Sequence, residues 1–404
     1  MIKFGKILIF GIIVVVAIIG VAFYFGFDFY KGIKPALLSP SEDITKFESA
    51  KNNLGLQLPE GFSINIFAED LGAPRVITFD PNGIPYASIT KQGLIVALRD
   101  KNNDGFAEDN LKVLAGLRNP HGLAFWEDYL YVAEEDKIKR YKYDIANSKI
   151  LDTTGEKIID LPLGDRHVTR TIVFSKRDGK PVLYVSIGST CDVCFEKDER
   201  NGTVMVMDPD GTNARIFATG LRNAVFIILS PWTGGILATE MGRDWLGDDL
   251  PPDEINILSH EGEDFGWPIC YGDGVYDEKF NGLESVREGM QACVNAEPPF
   301  IQIPAHSSPL GFAFMDDGWG KEYEGDLFVA YHGSWNRSVP TGYKIVRFKQ
   351  IAGNTSKTEQ DFITGWLQGD GTSIGRPVDI KIGPDGAMYI SDDKAGVIYR
   401  VTKD

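Results

Sequence analysis

Residues 165–170 read Asp-Arg-His-Val-Thr-Arg and stand directly ahead of the apolar run Thr171-Ile172-Val173-Phe174. The chain has only 5 histidines, so one set beside two arginines and an aspartate marks either a solvated turn or a place where protons move. A neutral imidazole is the usual general base near neutral pH, and a guanidinium suits planar contact with carboxylates. The same crowding recurs ahead of other apolar runs, at His121, at Arg222 with Asn223, at His306 with Ser308, and at Arg376. One such group carries little weight. Five at equivalent places point to one shared pocket that takes an anionic cofactor.

Their equivalence comes from a repeated phrase. From Leu58 onward six segments, starting at residues 74, 120, 169, 223, 309 and 377, each give an alternating apolar strand, a turn of Pro, Asp, Gly or Asn, and a second apolar strand. This is the pattern of a β-hairpin. The shorter spacings suit the four strands of a propeller blade, and the longer ones leave room for loops inserted on one face. The reading is therefore all-β, a six-bladed β-propeller over residues 57–404, with no sustained helical period after residue 57. In such a fold the strand that opens each phrase is innermost, and the residues just ahead of it point into the central mouth.

Composition bounds the function. With 41 basic and 57 acidic residues the net charge is −16, which repels nucleic acid. Ile7 to Phe27 runs without a charge and is long enough to cross a bilayer. It is a span or a signal peptide; its length and the lack of a clean cleavage site favour an uncleaved anchor over residues 1–35. Residues 36–56 read as a stalk with a short helix, Ser39 as its N-cap, Pro40 in the first turn and Glu42 closing a capping box. Four cysteines, Cys191 with Cys194 and Cys270 with Cys293, leave disulfides, a zinc site or free thiols open. Two disulfides are the simplest account and place the globular part outside the cytoplasm, in a periplasm or at a cell surface.

Two loops could hold a cation. Thr239 to Asn256 carries six acidic residues in eighteen positions among Gly and Pro, a source of hard oxygen ligands for Ca²⁺. Asp100 to Asp109 copies the first half of a calcium loop but has Leu111 where the bidentate Glu would stand.

The chain resembles the quinoprotein glucose/sorbosone dehydrogenases, and most closely their sorbosone branch. The likeness covers residues 57–404 and rests on "RNPHGLAF", "RHVTRTIVF", "GSTCDVCFEKDERNGTV", "ATGLRNAVF", "GRDWLGDDLPPDEIN", "HGSWNRSVPTGYK" and "RPVDIKIGPDG", in order. It implies oxidation of an aldose or sugar-derived aldehyde by hydride transfer to pyrroloquinoline quinone, with calcium and an electron acceptor of unknown kind. It also implies roles. His167 matches the general base, Arg222 the arginine that stabilises charge developing on the quinone, and Asn223, His121, Arg337 and Arg376 match cofactor contacts. Gly242 and Arg243 match the positions whose carbonyls hold the calcium. Departures are Arg243 in place of a Pro, Val378 in place of a second Arg, and Ala224 in place of a Pro. The alternatives are a membrane-anchored sugar-binding propeller without catalysis and a calcium-dependent lactonase, the latter needing a ring of carboxylates.

Overall fold

A computed structural model describes residues 2–37, 54–231, 234–281, 286–349 and 357–404. The six repeated phrases are six blades of a propeller. Blades one to five open with strands Pro74–Phe79, Leu123–Trp126, Ile172–Arg177, Ala224–Leu229 and Pro309–Phe314, each followed outward by antiparallel partners. Blade six opens with Pro377–Ile382 and continues through Met388–Asp392 and Val397–Lys403. Its outermost strand comes from the other end of the domain: Phe62–Ala68 pairs antiparallel with Val397–Lys403, setting Phe62 opposite Lys403 and Ile66 opposite Tyr399. The six inner strands touch one another in succession and the sixth touches the first, so the ring is closed.

The inner strands are apolar on both faces because both are covered. Ile77, Phe312 and Ile380 are essentially inaccessible. Four of these strands carry a register irregularity near their start, between Pro74 and Ile77, Ala224 and Phe226, Pro309 and Phe312, and Pro377 and Ile380. An irregularity of this kind bends a strand and leaves an amide without its ladder partner. Hydroxyls on the next strand take up two of those amides: Val76 N donates to Ser88 Oγ (3.1 Å) and Asp379 N to Ser391 Oγ (3.0 Å). Threonines tie neighbouring blades together, Thr171 Oγ1 donating to Val225 O (2.6 Å) and Thr239 Oγ1 to Leu310 O (2.9 Å).

An insertion follows the third strand of blade four. It contains two helices, Glu278–Asn281 and Val286–Asn295, where no helical period is expected from the sequence. The first is a single turn and the second under three, too short for periodicity to register. The Cys270–Cys293 disulfide closes this insertion, and Cys191–Cys194 closes a turn on the mouth side of blade three. Both expected pairs are oxidised, so zinc and free thiols are set aside.

Ahead of the propeller, an apolar helix runs from Ile2 to Leu37; within it Val14–Leu37 is long and apolar enough to be a membrane span or a signal sequence. The expected stalk helix with Ser39, Pro40 and Glu42 lies outside the described residues.

Blade five holds a buried ion pair. Asp326 is fully buried, Arg347 nearly so, and the arginine Nε donates to the carboxylate while Nη2 donates to Glu322 O (2.8 Å). Arg347→Met is expected to cost about 3–5 kcal/mol, because a buried carboxylate loses its counter-charge. Chemical denaturation measures it; a loss below about 1 kcal/mol would mean that water reaches Asp326.

Candidate active site

The mouth of the propeller is a cavity of about 350 Å³, and residues just ahead of the inner strands line it. Blade three supplies His167, blade four Arg222 and Asn223, blade five His306 and Ser308, and blade six Arg376. Arg75, near the start of blade one, joins them. His121, at the same place in blade two, is fully buried and does not reach the cavity; its ring lies 5.3 Å from that of Phe226 and its Nδ1 is 3.2 Å from Thr171 Oγ1.

The tautomer of His167 follows from its neighbours. Nδ1 lies 2.9 Å from Ser189 O and 3.0 Å from Ser189 Oγ. The carbonyl can only accept, and the hydroxyl already donates to Cys191 O (2.7 Å). Nδ1 must therefore carry the hydrogen, which leaves the Nε2 lone pair bare. Burial, then the charge of Arg222 and those of Arg166 and Arg170, hold the imidazole pKa well below its ordinary value, against the Ser189 hydrogen bond. Arg166 and Arg170 are nearer in sequence, but burial and Arg222, from the next blade, are the larger causes. Gly188 permits the arrangement, since a Cβ there would meet His167 Cβ at 2.6 Å and Asn223 Oδ1 at 2.8 Å.

Arg222 is held on all sides. Nε donates to Asp192 O (2.9 Å), Nη1 to Met241 O (3.1 Å), and Nη2 to Asp192 Oδ1 (2.7 Å) and Asp244 Oδ2 (3.2 Å). Arg166 also reaches Asp244, at 2.5 Å. Against burial, Arg222 and Arg166 keep Asp192 below the usual carboxylate range; burial and the nearby charge of Asp192 push Asp244 above it. Asp192 sits inside the four-residue ring closed by Cys191–Cys194, so this disulfide braces the guanidinium.

The acidic loop of blade four forms the cavity edge. Gly242 N donates to Asp253 Oδ1 (3.0 Å), and Ser308 N to Asp253 Oδ2 (2.8 Å), so one buried carboxylate joins the loop to blade five. Arg243 is turned away, its Nη1 on Asp277 (2.8 Å). Among the described residues, the carbonyl oxygens of Gly242 and Arg243 accept no hydrogen bond. Behind them Glu240 is buried with Oε2 unpartnered, its pKa pushed well up by burial. Hard oxygens of this kind suit Ca²⁺.

Arg337 stands on the rim outside the cavity lining, donating to Asp248 O (2.7 Å) and Ala305 O (3.2 Å). Arg376 donates to His332 O (3.1 Å) through Nε and to Gly333 O (2.5 Å) through Nη2, and it lines the cavity. The second loop, with Asp100, Asp104 and Glu108 gathered, lies on the face opposite the mouth. Sequence reasoning missed Arg75, Asp192, Asp244, His332 and Asp393. Arg75 escaped because it follows Pro74 inside the first inner strand, at the place Val378 holds after Pro377, rather than ahead of the strand. Asp192 escaped because its role depends on a turn that approaches blade four only in space.

His332 Nε2 lies 2.9 Å from Asp393, which also binds Arg75 (2.7 Å). Burial and Arg376 lower the His332 pKa from 6.5 to about 4, against the pull of Asp393. A group depressed in the folded state contributes stability above its unfolded pKa and loses it as pH falls toward the folded one. The stability advantage of the native protein over His332→Gln should therefore shrink between pH 6.5 and about 4, read by paired thermal melts. A difference that stays constant across this window would show that His332 titrates normally.

Comparison with known proteins agrees with the geometry. The TrAA12-like family model matches residues 56–404. An uncharacterized protein of Borreliella burgdorferi is 31% identical over 363 residues, covering 86% of this chain and 90% of that one. A pyrroloquinoline quinone-dependent pyranose dehydrogenase of Coprinopsis cinerea is 30% identical; the match covers 86% of this chain but 54% of that larger protein. The calcium structure of the Trichoderma reesei family AA12 enzyme has the same fold, with TM-score 0.74 and 22% identity over 87% of this chain and 97% of that one. The propeller, its mouth and the family match over almost all of it agree: the chain belongs to the TrAA12-like family.

Proposed function

We propose that this protein is a dehydrogenase, anchored by its N-terminal helix with the propeller outside the cytoplasm, that oxidises an aldose or sugar-derived aldehyde using pyrroloquinoline quinone and calcium. The observation that carries the reading is His167: a half-buried, neutral imidazole whose tautomer is fixed by Ser189, with a bare Nε2 in a cavity ringed by arginines. The relatives named as quinone-dependent sugar dehydrogenases support the substrate class. The lactonase alternative finds no support, since no ring of carboxylates surrounds the mouth among the described residues.

The residues fit the cofactor by charge and by free donors. The cofactor carries carboxylates, which Arg376 and Arg75 would meet from blades six and one, with Asn223 alongside. The free carbonyls of Gly242 and Arg243 would hold calcium at the cavity edge. Arg337 would contribute from the rim, whereas His121 does not reach the cavity and would not touch the cofactor. When bound, the quinone supplies a two-electron acceptor for hydride leaving the sugar carbon. His167 Nε2 takes the proton of the anomeric hydroxyl, and Ser189 O, already holding Nδ1–H, stabilises the imidazolium that results. Arg222, kept rigid by Asp192 and Asp244, presents fixed positive charge where negative charge develops and costs no reorganisation.

Purified protein loaded with pyrroloquinoline quinone and Ca²⁺ should give the reduced-quinone spectrum on mixing with members of an aldose panel; no reduction by any of them would leave a binding propeller instead. His167→Ala should keep its melting temperature and cofactor affinity yet lose about 10² to 10⁴ in the single-turnover rate, the usual worth of a positioned base. An unchanged rate would return residues 165–170 to an ordinary turn. Arg376→Met should weaken cofactor binding by about 1.5–3 kcal/mol in a titration, the range for hydrogen bonds to charged groups. Unaltered affinity would move the carboxylate site elsewhere.

A further inference from the structure

The N-terminal helix does not simply hang from the propeller. Its last turns pack on the mouth face. Phe29 stacks on Trp245 with ring centroids 5.7 Å apart, and Lys34 Nζ donates to Asp370 O (3.2 Å). Pro35 O accepts from Ser373 Oγ (3.0 Å) and from Lys394 Nζ. Gly32 is buried against the backbone of Arg337, so close that a Cβ would overlap the Arg337 carbonyl. Trp245, Arg337, Asp370, Ser373 and Lys394 all lie in loops on the face into which His167 and Arg376 open.

The sequence sets how far this face is from the lipid. The uncharged run ends at Phe27, Asp28 is the first charge after it, and contact with the propeller begins at Phe29. From Phe27 to Pro35 an α-helix rises about 12 Å, so the contact with the propeller lies just outside a headgroup layer that is roughly 5–8 Å deep on each side of the bilayer. Tyr24, Phe25, Phe27 and Tyr30, with Lys31, make the aromatic and basic boundary usual at a membrane surface. The mouth face also carries exposed large apolar side chains: Leu163, Phe195, Trp245, Leu250, Trp335 and Val339. They project from loops that a sugar-binding mouth alone does not require to be apolar.

We infer that the mouth face is a membrane-contacting surface, and that its partner is the phospholipid bilayer in which the chain's own helix sits. The inference rests on the anchor reading given above. Substrate then enters, and the electron acceptor is met, in the layer between rim and headgroups, while the opposite face looks away into water.

All four cysteines are in disulfides, so an introduced cysteine is the only free thiol. Full-length Val339→Cys and Asp210→Cys proteins, the second labelled on the opposite face, carry a fluorophore into phosphatidylcholine vesicles containing a spin-labelled headgroup lipid. Flotation reads the anchor and quenching reads the rim. The expected result is that both proteins float and only the Val339 probe loses fluorescence. Flotation with neither probe quenched, or with both quenched equally, overturns the membrane-facing mouth and leaves the anchor standing. Failure to float overturns both. Gly32→Leu, which breaks the packing against Arg337, should still float but lose the Val339 quenching; quenching that persists would overturn the helix contact as the device that orients the mouth.

Discussion

The site depends on closure of a ring. Strand Phe62–Ala68 is the first of the propeller in sequence, yet it completes the last blade by pairing with Val397–Lys403. With that pairing in place the six inner strands share one axis, and the residues at or just ahead of their starts, scattered from Arg75 to Arg376, meet in one cavity. No pair of adjacent blades holds all of the chemistry: the base comes from blade three, the rigid arginine from blade four, and the further cations from blades one and six. Anything that opens the ring separates them.

Within the ring, the protein spends little freedom on the site. His167 is fixed by a carbonyl, Arg222 by two carbonyls and two carboxylates, and Asp253 by two backbone amides from different blades. Each is an interaction with backbone or with a buried side chain, so none needs a long exposed group to be ordered. Electrostatics follow from this economy. Buried acids such as Glu240 and Asp253 are pushed upward by burial, Asp253 to about 7, beside carbonyls that accept no hydrogen bond among the described residues. A bound divalent cation would reverse that shift.

The blades were legible in the sequence because their signal is local: an alternating strand, a Gly or Pro turn and another strand, six times over. Mouth residues were legible for the same reason, since their place in each phrase is their place in the ring. His121 shows the limit of that logic. It holds the right position in blade two, but the inner strand there is short and its side chain is buried against Phe226 beneath the cavity. Asp192 shows the converse: nothing in a Cys-x-x-Cys loop announces that its aspartate will brace an arginine 30 residues away. The short helices of the blade-four insertion escaped because one is a single turn and the other under three, too short for an apolar period to register.

The account turns on a single proton. If Ser189 fixes His167 as argued, the ring is neutral at working pH, with hydrogen on Nδ1 and a bare Nε2. Nitrogen chemical shifts of protein labelled at histidine nitrogens, assigned through a His167→Gln variant, read both nitrogens directly. The account predicts a protonated Nδ1 and an unprotonated Nε2 from pH 6 to 8. An imidazolium in that range, or a ring carrying its hydrogen on Nε2, would contradict it.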